Sequence, residues 1–391
     1  MRVEGDFIRI NEWLIPFSWL YAIGVRFRNW LFDIGILKSK AFDIPVISVG
    51  NITVGGSGKT PHVEYLIRLL KDELKVATLS RGYKRKTRGY ILAGNDSTVR
   101  EIGDEPYQMK KKFSDIYVAV DEKRTRGIEN LITNDTTNDV DVVLLDDAFQ
   151  HRYVKPGINI LLIDYHRLII YDKLLPAGRL REPLKGKDRA DIVIVTKCPT
   201  DLKPMEFRVL TKALHLYPYQ DLFFSTIDYD APYGVFDEKK LSKEDIASKN
   251  VLLLTGIASP KQLVLDLEPH CKSLTPISLK DHRLFTAKDI ERVNETYKSL
   301  PEPRIILTTE KDATRLQETK GLDEDIKKNI YALPIHIRFM LNEEERFNEK
   351  IIGYVRKNSR NSILVKGKND YKSPNSNHIG DRPRTISFRD N

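Results

Sequence analysis

The sequence predicts an α/β protein: a mostly parallel, open sheet with a P-loop NTPase-like nucleotide site, then a second, smaller α/β domain. Three observations carry this. A Gly-rich loop sits between an apolar run and a helix-like stretch. Short, continuous, β-branched runs recur after it, as strands buried on both faces require. A further set of strand-like and amphipathic segments begins near residue 205.

The loop is Thr53-Val54-Gly55-Gly56-Ser57-Gly58-Lys59-Thr60, after Pro45-Val46-Ile47-Ser48-Val49 and before His62 to Leu70. Glycines let successive backbone N–H groups turn inward around phosphate oxygens, and the helix N-terminus adds partial positive charge. Lys59 would reach the β- and γ-phosphates, and the Thr60 hydroxyl would ligate Mg²⁺. The common pattern has Gly six residues before the Lys; here that residue is Thr53.

Residues 1–40 precede the loop as a segment of their own. Trp13 to Val25 is apolar, Arg26 and Arg28 interrupt it, and Trp30-Leu31-Phe32 resume it. The run is shorter than the ~20 residues a spanning helix needs. An apolar, Trp-rich, Arg-flanked segment fits the membrane interface. A core helix packed on the nucleotide domain is the other reading. The start, Met1-Arg2-Val3-Glu4-Gly5-Asp6, does not read as a secretory signal.

After the loop, strands are expected at 75–80, 115–120, 141–146, 158–164 and 191–196, with helices at 60–71 and 105–113. Asp146-Asp147 end a buried strand, where P-loop proteins place a Mg²⁺ ligand; a solvated turn cap is the alternative. Gln150 and His151 follow closely and could orient a phosphate or a nucleophile. Gly103-Asp104-Glu105-Pro106 could cap a helix or supply a base for an attacking hydroxyl, and spacing does not decide. Ser80 to Arg88 holds five basic residues with a tyrosine, a solvated face or a surface for anions. Leu174 to Pro183 is a Gly/Pro-punctuated loop with two arginines. Thr196-Lys197-Cys198-Pro199 sits where a guanine-reading motif would, but position 199 lacks the required Asp, so ATP is expected.

The domains read as 41–204 for nucleotide binding and 205–356 for the smaller unit. Strands are expected at 222–227, 250–255, 304–308 and 330–333, and helices at 259–267, 286–299 and 342–357. The segment 357–391 reads as a disordered tail. It holds eight basic and three acidic residues, supplying +5 of the chain's +9 net charge. The folded part is only mildly basic, so no nucleic-acid footprint is expected. Two distant cysteines support neither a disulfide framework nor a zinc site.

Taken together, the motifs resemble the tetraacyldisaccharide 4′-kinase (lipid A 4′-kinase) family. The matching pieces are Val49 to Pro61 with Thr53 as the family's own form, Ser80-Arg81-Gly82-Tyr83, Gly103 to Pro106, Leu145 to Arg152, Leu175 to Pro183, Asp281-His282 and Thr309-Glu310-Lys311-Asp312-Ala313. The resemblance implies ATP-dependent phosphorylation of the 4′-hydroxyl of a tetraacylated, glycosidically phosphorylated glucosamine disaccharide. It implies two α/β/α domains joined by a two-stranded linker, with the active site between them, and attachment to the cytoplasmic face of the inner membrane; an obligate protein partner is not implied. It also implies Asp104 as base paired with His282, and Lys59 on the phosphates. Thr60, Asp146, Asp147 and Glu105 would serve Mg²⁺, with Gln150 and His151 nearby. Arg81, Arg181 and Glu182 are weaker candidates for substrate or phosphate contacts. A rival reading is a membrane-associated switch ATPase with a variant P-loop, which needs no acceptor hydroxyl.

Overall fold

The computed structural model describes residues 10–359 apart from 238, 258, 259, 280–284 and 318. Fourteen strands form two sheets among these residues. The large sheet contains β1 (Val46–Gly50), β2 (Val76–Ser80), β3 (Ile91–Leu92), β4 (Tyr117–Val120), β5 (Val142–Asp146), β6 (Ile158–Asp164), β7 (Ile192–Thr196) and β8 (Asp221–Tyr229). The small sheet contains β9 (Tyr233–Gly234), β10 (Asn250–Thr255), β11 (Ser273–Ser278), β12 (Arg304–Thr309) and β13 (Ile330–Leu333). The last strand, β14 (Ile335–Phe339), returns to the large sheet.

Their orders are β14-β8-β7-β6-β1-β5-β2-β4-β3 and β11-β10-β12-β13-β9. Both sheets are parallel inside and antiparallel at an edge: β3 against β4, β14 against β8, β9 against β13. The strands in the middle of the large sheet are buried along both faces, which is why they read as unbroken Val/Ile/Leu runs. Alternate residues feed different cores. Leu252, Leu254 and Ile306 pack on one face of the small sheet, Val251, Leu253 and Ile305 on the other.

The boundary expected at 204/205 needs correction. The strand expected to open the second unit is β8, and it pairs in parallel with β7 from Ile192↔Asp221 to Val195↔Phe224. Its farther half pairs antiparallel with β14, from Ser225↔Phe339 to Tyr229↔Ile335. The chain thus leaves the first lobe along β8 and comes back along β14, the two-stranded link the resemblance implied. The helix Glu344–Asn358 is also part of the first lobe, since Phe347, Ile351 and Val355 join the core formed by Val63, Ile67, Phe223 and Phe339. The second lobe is an insertion between Tyr229 and Ile335.

The N-terminal segment forms the helix Ile15–Asp33, with Pro16 in its first turn. Ser18 and Ala22 are buried beneath it, and Tyr21 Oη donates to the Arg181 carbonyl at 2.8 Å. Arg152 ties the helix end through Asp33 at 2.6 Å. The opposite face is uncovered: Trp19, Leu20, Ile23, Phe27 and Trp30 are each more than half exposed. No described helix is long and apolar enough to cross a membrane.

Candidate active site

Strand pairing brings the scattered motifs together. The register Val49↔Asp146 between β1 and β5 sets the loop after β1 beside the Asp pair after β5. The approach is close enough to require glycine at position 50, where a Cβ would lie 2.8 Å from the Phe149 backbone nitrogen. On the other side runs the segment from Leu174 to Pro183. Thr53 bridges Leu180, and Val54 N donates to the Arg179 carbonyl at 2.8 Å.

The phosphate loop leads into the helix Lys59–Leu70, with Gly58 at φ +82° as its cap. Lys59 Nζ lies 3.6 Å from Asp147 Oδ1, and Arg181 Nη1 lies 3.5 Å from Asp147 Oδ2. Asp147 therefore sits between two cations on an exposed turn, while Asp146 is buried at the strand end. Burial, with the negative charges of Glu105 and Asp147 behind it, pushes the Asp146 carboxyl well above its ordinary value, against Lys59 and Arg124. Its Oδ1 has no hydrogen-bond partner although buried. Among the described residues no three acidic, histidine or cysteine side chains converge into a ready metal cage. An orphaned carboxylate near Lys59 of the phosphate loop, with Glu105 and Asp147 close by, suits a hard cation shared with phosphate oxygens.

Gly103 and Gly82 explain each other. Gly103 has φ +93°, and a Cβ there would meet the Tyr83 carbonyl at 3.0 Å. This contact joins the Ser80-Arg81-Gly82-Tyr83 and Gly103-Asp104-Glu105-Pro106 motifs. Asp104 opens the helix Asp104–Lys112. Its Oδ2 accepts from Arg315 Nη2 of the second lobe, and Lys311 Nζ stands 3.7 Å from Glu105 Oε1. A third contact, Lys112 to Glu310 at 2.7 Å, joins the same two helices. Asp104 thus faces both lobes. His282 lies outside the described residues.

The weaker candidates separate. His151 is largely buried near Arg124, Arg28 and Arg81; burial first, then these cations, lowers its imidazole to about 4, so it is neutral. Gln150 is half-buried, and its carbonyl accepts from Arg28 at 3.4 Å. Arg81 is exposed at the rim. Glu182 is buried and takes Arg189 at 2.8 and 2.9 Å, so its carboxylate fastens the 174–183 segment to the short helical turn Leu184–Arg189 before β7.

Arg124 and Arg315 were not singled out in the sequence. Arg124 is buried, donates to the Asp146 carbonyl at 3.4 Å, and is lowered to about 10 by burial. In sequence it is one of three cations in Lys123-Arg124-Thr125-Arg126, which reads as a solvated face. Arg315 meets Asp312 three residues before it and Asp104 211 residues away, and nothing local marks the second contact.

A family model described as tetraacyldisaccharide-1-P 4′-kinase matches residues 10–356. The chain is 56% identical to the tetraacyldisaccharide 4′-kinase of Phocaeicola vulgatus over 363 residues, covering 92% of this chain and 99% of that one. It is 53% identical to the one from Bacteroides fragilis over 378 residues, covering 95% and 100%. A crystal structure described as the "apo" form of LpxK from Aquifex aeolicus in complex with ATP is 32% identical. It covers 88% of this chain and 98% of its own, with a TM-score of 0.65.

Proposed function

The chain belongs to the tetraacyldisaccharide-1-P 4′-kinase family, and on that premise we propose how its residues divide the work. The enzyme is a lipid kinase that uses ATP to phosphorylate the 4′-hydroxyl of tetraacyldisaccharide 1-phosphate in lipid A biosynthesis. The switch-ATPase reading is not favoured.

The loop Thr53–Thr60 holds the triphosphate, with Lys59 on the β- and γ-phosphates. Asp104 accepts the proton of the 4′-hydroxyl. The hydroxyl oxygen bonds to the γ-phosphorus, the bond to the β–γ bridging oxygen breaks, and ADP leaves. The observation that supports this assignment is Asp104 at the first turn of its helix, within reach of both lobes through Arg315. His282, by resemblance, pairs with it. Mg²⁺ is the cation that Thr60 and Asp146 would hold, with Glu105 and Asp147 close by, and it would supply charge neutralisation across the transferred phosphate. Arg181, Arg81, Gln150 and His151 line the approach.

The lipid substrate does not dissolve, so the enzyme meets it at a bilayer. The uncovered stripe Trp19, Leu20, Ile23, Phe27 and Trp30 supplies an interfacial contact on the cytoplasmic face of the inner membrane. The docked face of the same helix reaches the Arg181 carbonyl, so this contact lies beside the site. Substituting Ile23→Asp should release the protein from anionic lipid vesicles in a sedimentation assay. Unchanged binding would remove the helix from this role.

The test of the activity is transfer of labelled γ-phosphate from ATP to tetraacyldisaccharide 1-phosphate in detergent micelles. Wild type should give labelled lipid. Asp104→Ala should lose roughly a hundred- to ten-thousandfold in rate, the range for a general base. Full activity in Asp104→Ala would end its assignment as the base.

A further inference from the structure

Three consecutive carbonyls of the phosphate loop are each taken by a side chain from outside it. The Gly56 carbonyl accepts from Lys197 Nζ. The Ser57 carbonyl accepts from Thr196 Oγ1 at 3.0 Å. The Gly58 carbonyl accepts from His62 Nδ1 at 2.7 Å. Just ahead of the loop, Asn51 Nδ2 donates to Ser57 Oγ at 2.8 Å.

The outer donors are themselves held. Lys197 Nζ also meets Asp164 Oδ2, at the end of β6, at 2.7 Å. His62 Nε2 lies 3.1 Å from Ser225 Oγ in β8. A carbonyl can only accept, so Nδ1 carries the imidazole hydrogen and Nε2 accepts from the Ser225 hydroxyl. His62 and Ser225 are buried, and burial lowers the imidazole to about 4. The neutral ring with this one tautomer persists at neutral pH.

The peptide plane converts these contacts into a function. In a trans peptide the C=O of one residue and the N–H of the next point in opposite directions. Fixing the carbonyls of Ser57 and Gly58 therefore turns the N–H groups of Gly58 and Lys59 to the other side of the loop. That is the direction in which a phosphate-binding loop presents them. The Ser57 N–H turns onto the Gly55 carbonyl at 3.2 Å and is not among them.

We propose that Thr196, Lys197 and the His62–Ser225 pair are positioning residues that hold the phosphate loop in its anion-binding shape. This gives Thr196-Lys197-Cys198-Pro199 a role that is not base reading. It also gives β8, the strand that leads out to the second lobe, a direct contact with the nucleotide site. The proposal rests on this loop being the ATP site.

The experiment uses the full-length enzyme and a non-hydrolysable ATP analogue. It measures the analogue's Kd by calorimetry, KM for ATP and for the lipid, and the melting temperature. Thr196→Val keeps the side-chain shape and removes only the hydroxyl; Ser225→Ala removes the support of His62. Each should weaken analogue binding and raise KM for ATP about three- to tenfold, the worth of one hydrogen bond. KM for the lipid should hold, and Thr196→Ser should recover most of the lost affinity. Wild-type analogue affinity in both Thr196→Val and Ser225→Ala would overturn the proposal. So would a loss shared equally by ATP and lipid KM with a fall in melting temperature, which marks a merely structural role. No analogue binding by wild type would overturn the nucleotide reading itself, and the proposal with it.

Discussion

Each sheet carries a buried aspartate at the C-terminal edge of a parallel strand, and the two are treated in opposite ways. Asp146 ends β5 with an oxygen that nothing satisfies and a carboxyl pushed upward by burial. Asp312 lies just beyond β12 and is saturated. It accepts from Arg315 Nη1 at 3.0 Å, Gly256 N at 2.8 Å and Thr309 Oγ1 at 2.7 Å. Both are almost wholly buried, at 1% and 0% exposure. Burial alone therefore does not distinguish the two carboxylates; the unmet hydrogen bond does. A fully bonded aspartate has no oxygen left to offer, whereas Asp146 keeps one that a ligand could take.

The contrast breaks most sharply through activity. Asp146→Asn should cost phosphoryl transfer about a thousandfold, several kcal/mol of lost charge stabilisation. The melting temperature of the ligand-free variant should be no lower than that of wild type, because the substitution removes a costly buried charge. A large fall in ligand-free stability would show that Asp146 is structural after all.

Asp312→Asn should do the reverse. It takes from buried Arg315 one of its two carboxylate partners, Asp104 being the other, a change that costs about 1.5–3 kcal/mol in stability. Denaturant unfolding measures it directly. Activity should fall as well, because the same Arg315 reaches Asp104. A variant as stable as wild type would erase the contrast.

A third buried group sharpens it through pH. His62 is depressed to about 4 by burial, whereas the unfolded chain titrates near the ordinary 6.5. Between these values the unfolded chain binds more protons, so stability rises with pH. The contribution is complete above 6.5 and is lost as pH falls towards 4, roughly 3 kcal/mol in all. His62→Asn should flatten the difference between urea unfolding at about pH 7 and about pH 5. An unaltered slope would mean other groups carry it.

The smallest effect belongs to the exposed pair Arg338–Asp228, which joins the two link strands at the surface. Arg338→Ala should change stability by no more than about 1 kcal/mol. A larger loss would make this pair a part of the link's rigidity.

What was legible in the sequence follows from what is contiguous in it. The phosphate loop, Asp146-Asp147 and Gly103-Asp104 each belong to one strand-loop or loop-helix unit, and periodicity located those units within a residue or two. Strand order is a long-range property, so the sequence locates the span of β8 to within two residues and not the sheet it joins. Four strands went unread: β3 and β9 because two residues carry no periodicity, β11 and β14 for local reasons. β11 contains Pro276, which is tolerated because the strand is at an edge. β14 alternates polar and apolar residues over only five positions after Pro334. The second layer of the site is made of single residues from distant segments: Arg315, Arg124, His62 and Ser225. Only packing brings them together.

The place where the second lobe enters and leaves has a consequence for the gene. Tyr229 and Ile335 are ladder partners, so their Cα atoms stand about 5 Å apart. A two-residue hairpin turn could close that gap. The first lobe would then keep its nine strands, its phosphate loop and its returning helix in one uninterrupted reading frame. The intervening segment would then be removable by a single in-frame deletion, which would strip Asp104, Glu105 and Lys112 of the contacts they now make with Arg315, Lys311 and Glu310.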